Sequence, residues 1–381
     1  MCMTNAPRTP GGLWEQICRI LPYTQDRIVV IWPPKTMTGD LAMTHRSIAR
    51  LGAPGFAALT LLVAAPVQAA SFTEFDVPGS SFTAPFSINS AGVITGSYGV
   101  GDKHASGFVR AVDGTITSFD PDGSAVTVPY AINDDGRICG TYTQKNRLHE
   151  HAFVREPDGS ITVFDPPHAT NSWAIGFDGQ GNVVGSFSSQ RIKALGFIRS
   201  PDGTITVIDY PHSEVTAINS INKSGAITGE HIDKGLGGGD HGFVRSPDGT
   251  LTSFDVPGAA GTAGLSINAR GTIAGDYYDN NSVDHGFVLA TDGTIITFDP
   301  KHSVDTEIYG INARGVIAGT FDTADQVTHG FLRKQGGAIT RFDAPDAVYA
   351  TTPRSINKSG VIAGTYTHTN RTLMHGFIRM P

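Results

Sequence analysis

His and Asp, two residue types that bind metals and move protons, recur at fixed positions along this chain. The His lies before a Gly-Phe or Ala-Phe pair at His151, His241, His285, His329 and His375. The Asp ends a Phe-Asp-like element at Asp76, Asp120, Asp165, Asp209, Asp255, Asp299 and Asp343. A zinc ion needs ligands at about 2.0–2.3 Å, and successive copies lie too far apart to share one. We expect each His to form a hydrogen bond within its own repeat, and each Asp to accept hydrogen bonds in the following turn.

Three shorter clusters also carry groups that could do chemistry. They are His149-Glu150-His151, Asp279-Asn280-Asn281 with Asp284, and the glycine-rich run Gly235–Gly239. The first offers two His on one face of a strand but no third ligand. The second lacks EF-hand spacing, and the third lacks the Lys-Ser/Thr of a P-loop. We predict no metal site and no cofactor.

The elements that carry these residues form an internal repeat. Its pattern is Ile-Asn-x-x-Gly-x-Ile-x-Gly, a variable stretch, His-Gly-Phe-Val-Arg, x-x-Asp-Gly-Thr-Ile-Thr, and Phe-Asp-x-Pro. Its central Phe falls at Phe108, Phe153, Phe197, Phe243, Phe287, Phe331 and Phe377, with spacings of 45, 44, 46, 44, 44 and 46 residues. Periods of about 40–50 residues are typical of β-propellers.

Each repeat is predicted to form four short strands, which we label a to d in chain order. In the first repeat, strand a ends at Asn89 and strand b begins at Val93. The a–b link, Asn-x-x-Gly, favours a type I turn. The c–d link carries Asp-Gly in five repeats, for example Asp113-Gly114, which is a strong hairpin signal.

The two ends of the repeat region predict a closed ring. The region opens with a lone strand d, Phe72–Asp76, and it ends with a strand c, His375–Arg379, that no strand d follows. Pairing of the two would remove exposed strand edges. We therefore predict an all-β fold, a seven-bladed β-propeller of four-stranded antiparallel blades, closed by the N-terminal strand completing the last blade.

A ligand site is predicted on the face formed by the b–c and d–a loops, at the mouth of the central channel. These loops vary, whereas the a–b and c–d turns are alike, and variable loops on a rigid scaffold usually carry function. The variable loops include Lys145–Leu148, Ile232–Asp240, Asp279–Asp284, Asp322–Gln326 and His368–Thr372.

The channel wall is predicted to come from strand a. Two residues before its Asn the side chain is small, but three before it the residue type differs between repeats. The candidate ligand-binding residues at or near that level are Phe86, Tyr130, Trp173, Asn219, Tyr309 and Arg354. Tyr130, Trp173 and Tyr309 could stack on a sugar, and Arg354 could hold an anionic group. The alternative is that the aromatic side chains fill gaps between blades.

Composition and the N-terminal segment bear on partners and localisation. The net charge is −7, and without a basic patch we predict no nucleic-acid partner.

Residues 43–69 have the basic, apolar and small-residue regions of a cleaved signal peptide. Residues 1–42 lack repeat character, and we interpret them as a non-native upstream extension or a disordered segment. Residues 70–381 are then an extracellular or periplasmic monomer without a membrane span, and Cys139 is its one cysteine, interpreted as a buried filler.

The His-Gly-Phe and His151-Ala152-Phe153 elements resemble the HAF-type extracellular repeat family of bacteria. The resemblance covers about residues 71–381, although Leu195-Gly196-Phe197 and Ser106-Gly107-Phe108 lack the His. It implies an exported repeat protein and supplies no catalytic residues. We predict a binding or scaffold module for glycans or proteins. The alternative is a propeller lyase or hydrolase that acts on polysaccharide, although no catalytic motif favours an enzyme.

Overall fold

The chain is described by a computed structural model that covers residues 70–381, except 102–103, 145–148, 190–193, 236–238 and 369–372. All of its regular elements are β-strands, 28 in number, so the prediction of an all-β fold is confirmed. No helix within these ranges has the length and apolar character needed to cross a membrane. The predicted leader, the upstream extension and the loop 145–148 lie outside the described residues.

The strands follow the predicted order. The first is β1 (Phe72–Phe75). Unit 1 holds β2 (Thr83–Ile88), β3 (Ile94–Val100), β4 (His104–Arg110) and β5 (Ile116–Phe119); unit 2 holds β6 (Ser124–Ile132), β7 (Ile138–Gln144), β8 (Glu150–Arg155) and β9 (Ile161–Phe164). Unit 3 holds β10 (Asn171–Phe177), β11 (Val183–Ser188), β12 (Leu195–Arg199) and β13 (Ile205–Ile208); unit 4 holds β14 (Ser213–Ile221), β15 (Ile227–Asp233), β16 (Asp240–Arg245) and β17 (Leu251–Phe254). Unit 5 holds β18 (Gly261–Ile267), β19 (Ile273–Tyr278), β20 (Asp284–Leu289) and β21 (Ile295–Phe298); unit 6 holds β22 (Asp305–Ile311), β23 (Ile317–Asp322), β24 (Thr328–Arg333) and β25 (Ile339–Phe342). Unit 7 holds β26 (Ala350–Ile356), β27 (Ile362–Thr367) and β28 (Met374–Arg379).

Antiparallel pairing joins the strands of each unit in sequence order, as in β2-β3-β4-β5. Single parallel bridges, such as Ala105 with Val126, connect some neighbouring units. Backbone pairing therefore gives three eight-stranded sheets and one four-stranded sheet, β10 to β13.

The turns form as the sequence predicts. Asn89 Oδ1 accepts hydrogen bonds from the backbone N–H groups of Ala91 and Val93, at 3.1 and 3.0 Å. Gly92, which ends this turn, has a φ of 93°, a conformation that a side chain makes costly. Asp113 Oδ1 likewise accepts from the Thr115 N–H at 2.9 Å in the c–d turn. Local side-chain bonds therefore set where each strand begins.

The core is built from the repeated Phe of strand c, which is 0 % exposed in all seven units. Each ring packs beside a neighbouring unit, as in the pair Phe119 and Phe153, whose centroids are 6.1 Å apart. The adjacent strand b carries a Gly because a Cβ on Gly96 would lie 2.8 Å from the Phe108 ring. The repeated Phe and Gly therefore form one packing unit.

The repeated His and Asp pair within their own units, as predicted. The Nδ1 atom of the strand-c His lies 2.7–2.9 Å from a carboxylate oxygen of the Asp that follows strand d. The pairs are His151–Asp165, His241–Asp255, His285–Asp299, His329–Asp343 and His375–Asp76. Asp299 also accepts from the Thr306 hydroxyl at the start of the next strand a, at 2.8 Å.

The N-terminal strand β1 pairs with the last strand, β28. Phe72 lies opposite Arg379, and Phe75 lies opposite Gly376. The Phe72 ring packs on Phe377 and Phe342 at centroid distances of 5.9 and 6.2 Å. The first residues of the repeat region thus supply the fourth strand of unit 7.

Cys139 is fully buried in strand b of unit 2. Burial raises the pKa of its thiol well above the ordinary value, and the thiolate is the reactive form. We expect iodoacetamide to leave Cys139 unmodified in the native chain and to alkylate it after denaturation. Mass spectrometry of the peptide that contains Cys139 measures this, and rapid native labelling would contradict the assignment of Cys139 as packing.

Candidate functional site

Strand a of every unit contains a β-bulge at the position where the sequence varies between repeats, and β6 and β14 have a second register shift near their starts. At the variable position the register with strand b shifts by one residue, so the bulged residue falls between two paired positions. The seven bulged residues are Phe86, Tyr130, Ile175, Asn219, Leu265, Tyr309 and Arg354. All seven are half-buried. The same backbone feature therefore carries six different side-chain types in seven units.

Where a Ser follows the bulge, its hydroxyl binds the next unit. The Ser87 hydroxyl accepts a hydrogen bond from the Ile132 N–H at 3.2 Å, and Ser220 and Ser266 act in the same way on the units that follow them. This agrees with the prediction that small residues at this position serve close packing between units.

The Asn of the a–b turn forms a second link between units. Asn222 Nδ2 donates to the Asn268 carbonyl at 3.0 Å, Asn268 to Asn312 at 3.3 Å, and Asn312 to Asn357 at 3.2 Å. Asn357 donates in turn to the carbonyl of Asn89 in unit 1, at 3.1 Å. The bulged residues are thus held by two sets of hydrogen bonds that run from unit to unit.

Five of the six predicted site residues lie at bulges, and they contact neighbouring units. The rings of Phe86 and Tyr130 have centroids 6.4 Å apart and pack on a small apolar cluster. Asn219 Nδ2 donates to the Gly264 carbonyl at 3.3 Å. The guanidinium carbon of Arg354 lies 5.0 Å from the Tyr309 ring centroid. The aromatic members lie in two separate places, Phe86 with Tyr130 in units 1 and 2, and Tyr309 in unit 6 beside Arg354.

Trp173 is not a bulged residue. It pairs with Ser186, and Ile175 takes the bulge of unit 3. Trp173 is half-buried, on the same alternating face of β10 as Ile175. Its indole N–H interacts with the Glu150 carboxyl without forming a hydrogen bond of normal geometry. Burial raises the pKa of Glu150 to about 7.

Units 4 to 6 hold a group of acidic side chains that no sequence motif marks. We call it the carboxylate cluster and define it as Glu230, Asp240, Asp276, Asp284, Asp305 and Glu307. Asp276 and Asp284 are 7 % and 3 % exposed. Tyr309 Oη donates to Glu307 Oε2 at 2.8 Å, which places the cluster beside the bulge of unit 6.

Burial, together with neighbouring carboxylates, raises the pKa values of four members of the cluster, which are Glu230, Asp276, Asp305 and Glu307. Burial, and then the charge of Asp240, raise the pKa of Glu230 to about 8. Burial, and then the charges of Asp284 and Glu307, raise the pKa of Asp305 to about 7. The pKa of Asp276 is raised well above its usual range, mainly by burial. The cluster therefore holds protons near neutral pH.

A comparison between repeats contains the signal for this cluster. Glu230 and Asp276 lie in strand b at the position that Ser97, Thr141, Ser186, Thr320 and Thr365 occupy in other units. Carboxylates are rarely buried unless they are paired. Two carboxylates at positions where other units have a small Ser or Thr are not explained by packing alone, so they indicate a distinct site.

The other clusters that the sequence offered as candidate metal sites do not bring their side chains together. His149 Nδ1 contacts the Thr170 carbonyl at 3.0 Å, whereas His151 binds Asp165. Asp279 Oδ1 accepts from the N–H groups of its own loop, that of Asn281 at 2.8 Å among them. No group of three or more His, Cys, Asp or Glu among the described residues is arranged to hold a metal ion.

The site combines aromatic faces, one guanidinium and carboxyl groups that are partly protonated. Such a surface offers both hydrogen-bond donors and acceptors, together with rings for stacking on C–H groups. It is chemically suited to a polyhydroxylated ligand, and its protonated carboxyl groups could also act as general acids.

The sequence matches no protein-family model and no curated protein. Similar solved structures include a catalytically inactive variant of virginiamycin B lyase from Staphylococcus aureus with quinupristin. Its identity is 14 %, its TM-score is 0.56, and the match covers 82 % of this chain and 100 % of that one. The β-propeller domain of the trilobed protease from Pyrococcus furiosus has 9 % identity and a TM-score of 0.55, over 78 % of this chain and 95 % of that one. At these identities the likeness concerns the fold alone, and the chain has a fold of the β-propeller type.

Proposed function

We propose that units 1 to 7 are the blades of a closed seven-bladed propeller. The pairing of β1 with β28 supports this. So does the contact of each strand a with the strand a of the next unit, including β26 with β2. The Ser355 hydroxyl also accepts from the Ile88 N–H at 3.3 Å, which repeats the link between units across the two ends of the chain. In this arrangement strand a lines a central channel.

The protein is proposed to act outside the cytoplasm, as a member of the HAF-type extracellular repeat family. This rests on the signal-peptide pattern of residues 43–69 and on the repeat motif. N-terminal sequencing of the secreted protein tests it, and a mature N-terminus far from Ala70 would contradict it.

Its proposed activity is to bind a glycan, or a protein, at the face of the b–c and d–a loops. The observation that carries this proposal is the set of seven bulged residues. The hydrogen bonds around the bulges are alike in most units, whereas the bulged side chain differs in size and polarity from unit to unit. A scaffold with no ligand has no need for that diversity, and function concentrates at such variable positions.

Binding to a glycan array should be lost in the double variant Tyr130→Ala and Tyr309→Ala. Loss of each ring removes a stacking face worth about 0.5–1.5 kcal/mol beyond its area, so the pair should weaken binding by about tenfold to a hundredfold. The matched control is Tyr130→Phe with Tyr309→Phe, which keeps both rings and should still bind. Unchanged binding by the alanine variant would contradict this site.

A second candidate function is polysaccharide cleavage by a lyase or hydrolase. The raised pKa of Asp305, to about 7, favours it, since a general acid works best when its pKa is near the operating pH. Product analysis on the array ligands distinguishes the two functions. Bound ligand that is recovered intact supports a binding module. Cleavage that Asp305→Asn abolishes supports an enzyme.

A further inference from the structure

A cavity of about 350 Å³ lies at the outer part of the same face, between units 6 and 7. One wall is the b–c loop of unit 6, with Thr323 and Asp325, and the other is the d–a segment that includes Val348. Its volume is near the lower end of the roughly 300–1,000 Å³ that small-molecule sites occupy. The cavity is therefore large enough for one small ligand.

The polar wall of this cavity is a connected chain of side chains. Asp343 Oδ1 lies 2.8 Å from His329 Nδ1, and His329 Nε2 lies 3.2 Å from Thr323 Oγ1. Arg341 donates to Asp343 Oδ2 through Nε at 2.9 Å and contacts it through Nη2 at 2.8 Å. His329 is 5 % exposed. The polar groups are thus fixed before any ligand enters.

Two of these residues distinguish unit 6 from unit 5, which has a b–c loop of the same length. Arg341 lies opposite Phe331, whereas Thr297 takes that place opposite Phe287. Asp325 lies two residues into the loop, where unit 5 has Asn281. Unit 5 does without these two side chains.

Arg341 and Asp325 both line the cavity. Arg341 binds Asp343 there, and Asp325 accepts from the Thr323 hydroxyl. Each keeps further hydrogen-bonding capacity for a ligand.

We propose that this cavity is a binding site for a neutral pyranose sugar. Two carboxylates and one guanidinium line it. Asp343 already neutralises Arg341, so a free anion gains no unopposed cation, and the second carboxylate, Asp325, is an acceptor for hydroxyl donors. A sugar hydroxyl donates and accepts at once, and it can serve Asp325 and Arg341 together. The apolar wall, with Val327, Val348 and Ala350, suits the C–H face of the ring.

Ligand-observed NMR titrations of the full chain test this site. The probes are the methyl glycosides of glucose, mannose, galactose and N-acetylglucosamine, with glycylglycine and acetate as charged alternatives. At least one glycoside should bind saturably, and Asp325→Asn and Arg341→Thr should each weaken it by about tenfold, the value of a hydrogen bond to a charged group. Both variants carry the residue that unit 5 has, so they should fold.

The matched control is Asn281→Asp, which places a carboxylate in the corresponding loop of unit 5 and should leave the affinity unchanged. The site is separate from the bulged residues, so the Tyr130→Ala, Tyr309→Ala variant should keep its affinity for the glycoside. Glycoside binding that this channel variant abolishes, while Asp325→Asn and Arg341→Thr retain it, would overturn the cavity site and leave the proposed function standing. Absence of binding by every glycoside, or stronger binding of glycylglycine or acetate, would also overturn it.

Discussion

A variant that begins at Gly79 and so lacks β1 is expected to lose most of the stability of the chain. It removes the rings of Phe72 and Phe75 and the partner of His375. Loss of a fully buried Phe ring typically costs about 3–5 kcal/mol. These two rings are half-buried and each contributes part of that cost, and the deletion also removes the backbone pairing with β28. Whole domains are stable by only about 5–15 kcal/mol, so deletion of β1 approaches the entire free energy of unfolding. Urea denaturation followed by circular dichroism measures the loss.

The matched control is a permuted chain in which residues 72–78 follow Arg379 through a copy of the c–d turn Ser200–Thr204. In units 1 to 6, strand d follows strand c through such a turn, so the permuted chain should recover the urea midpoint of the parent. A midpoint that stays low in the permuted chain, or a high midpoint in the truncated one, would contradict the role of β1.

Substitution of Asp276 by Asn is expected to stabilise the chain at pH 8 and to change it little at pH 4. The pKa of Asp276 is raised in the folded state, chiefly by burial and by Asp284, so ionisation opposes folding. The stability contributed by a protonated carboxyl group is present below its unfolded pKa and lost as the pH rises through the folded value. Asn cannot ionise, and its oxygen can still accept from the Ile308 N–H.

Glu230 should add to the same pH dependence, because its pKa is raised from 4.5 to about 8. A difference of one between the folded and unfolded pKa corresponds to about 1.4 kcal/mol, so the parent chain should lose a few kcal/mol between pH 4.5 and 8. Urea midpoints across this range measure the effect.

The control for the pH series is Asp248→Asn, on an exposed turn. Its carboxylate accepts from the Thr250 N–H at 2.9 Å, and this bond lowers the pKa of Asp248. The stabilising contribution of the Asp248 carboxylate is therefore present at pH 8 and lost on acidification. Asp248→Asn should thus destabilise the chain at pH 8, whereas Asp276→Asn should stabilise it. If Asp276→Asn and Asp248→Asn changed stability in the same direction at pH 8, the assignment of the carboxylate cluster would be wrong.

The sequence predicts the scaffold because each local rule repeats in most units. The Asn turn, the Asp-Gly turn and the His–Asp pair all rest on bonds between residues close in the chain or on adjacent strands. The recurrence of the motif alone is enough to predict that each His forms a hydrogen bond within its own unit.

Unit 3 shows where residue type misleads. It has Phe177-Asp178 in place of Ile-Asn, and the large aromatic Trp173 suggests the variable position. The bulged residue of every other unit lies three residues before the Asn of the a–b turn, and the same count from Asp178 gives Ile175, which is the bulged residue of unit 3. A prediction that follows the aromatic side chain instead of the spacing therefore misses it.

The sequence-based predictions miss the carboxylate cluster for a different reason. Its members come from strands a, b and c of three units, and they are up to 77 residues apart, from Glu230 to Glu307. No motif joins residues at such separations. Only the packing of one unit on the next brings them together, and the rise of the pKa values of four members is the physical mark of that proximity.

The location of β1 also fixes the order in which the chain can mature. Phe72 pairs with Arg379, so the sheet of unit 7 cannot form until a ribosome has produced nearly the whole repeat region. Until then, a strand edge at the start of the region stays open to other chains. Premature termination anywhere in unit 7 would leave the edge of β1 unpaired, and the truncated product would be prone to aggregate.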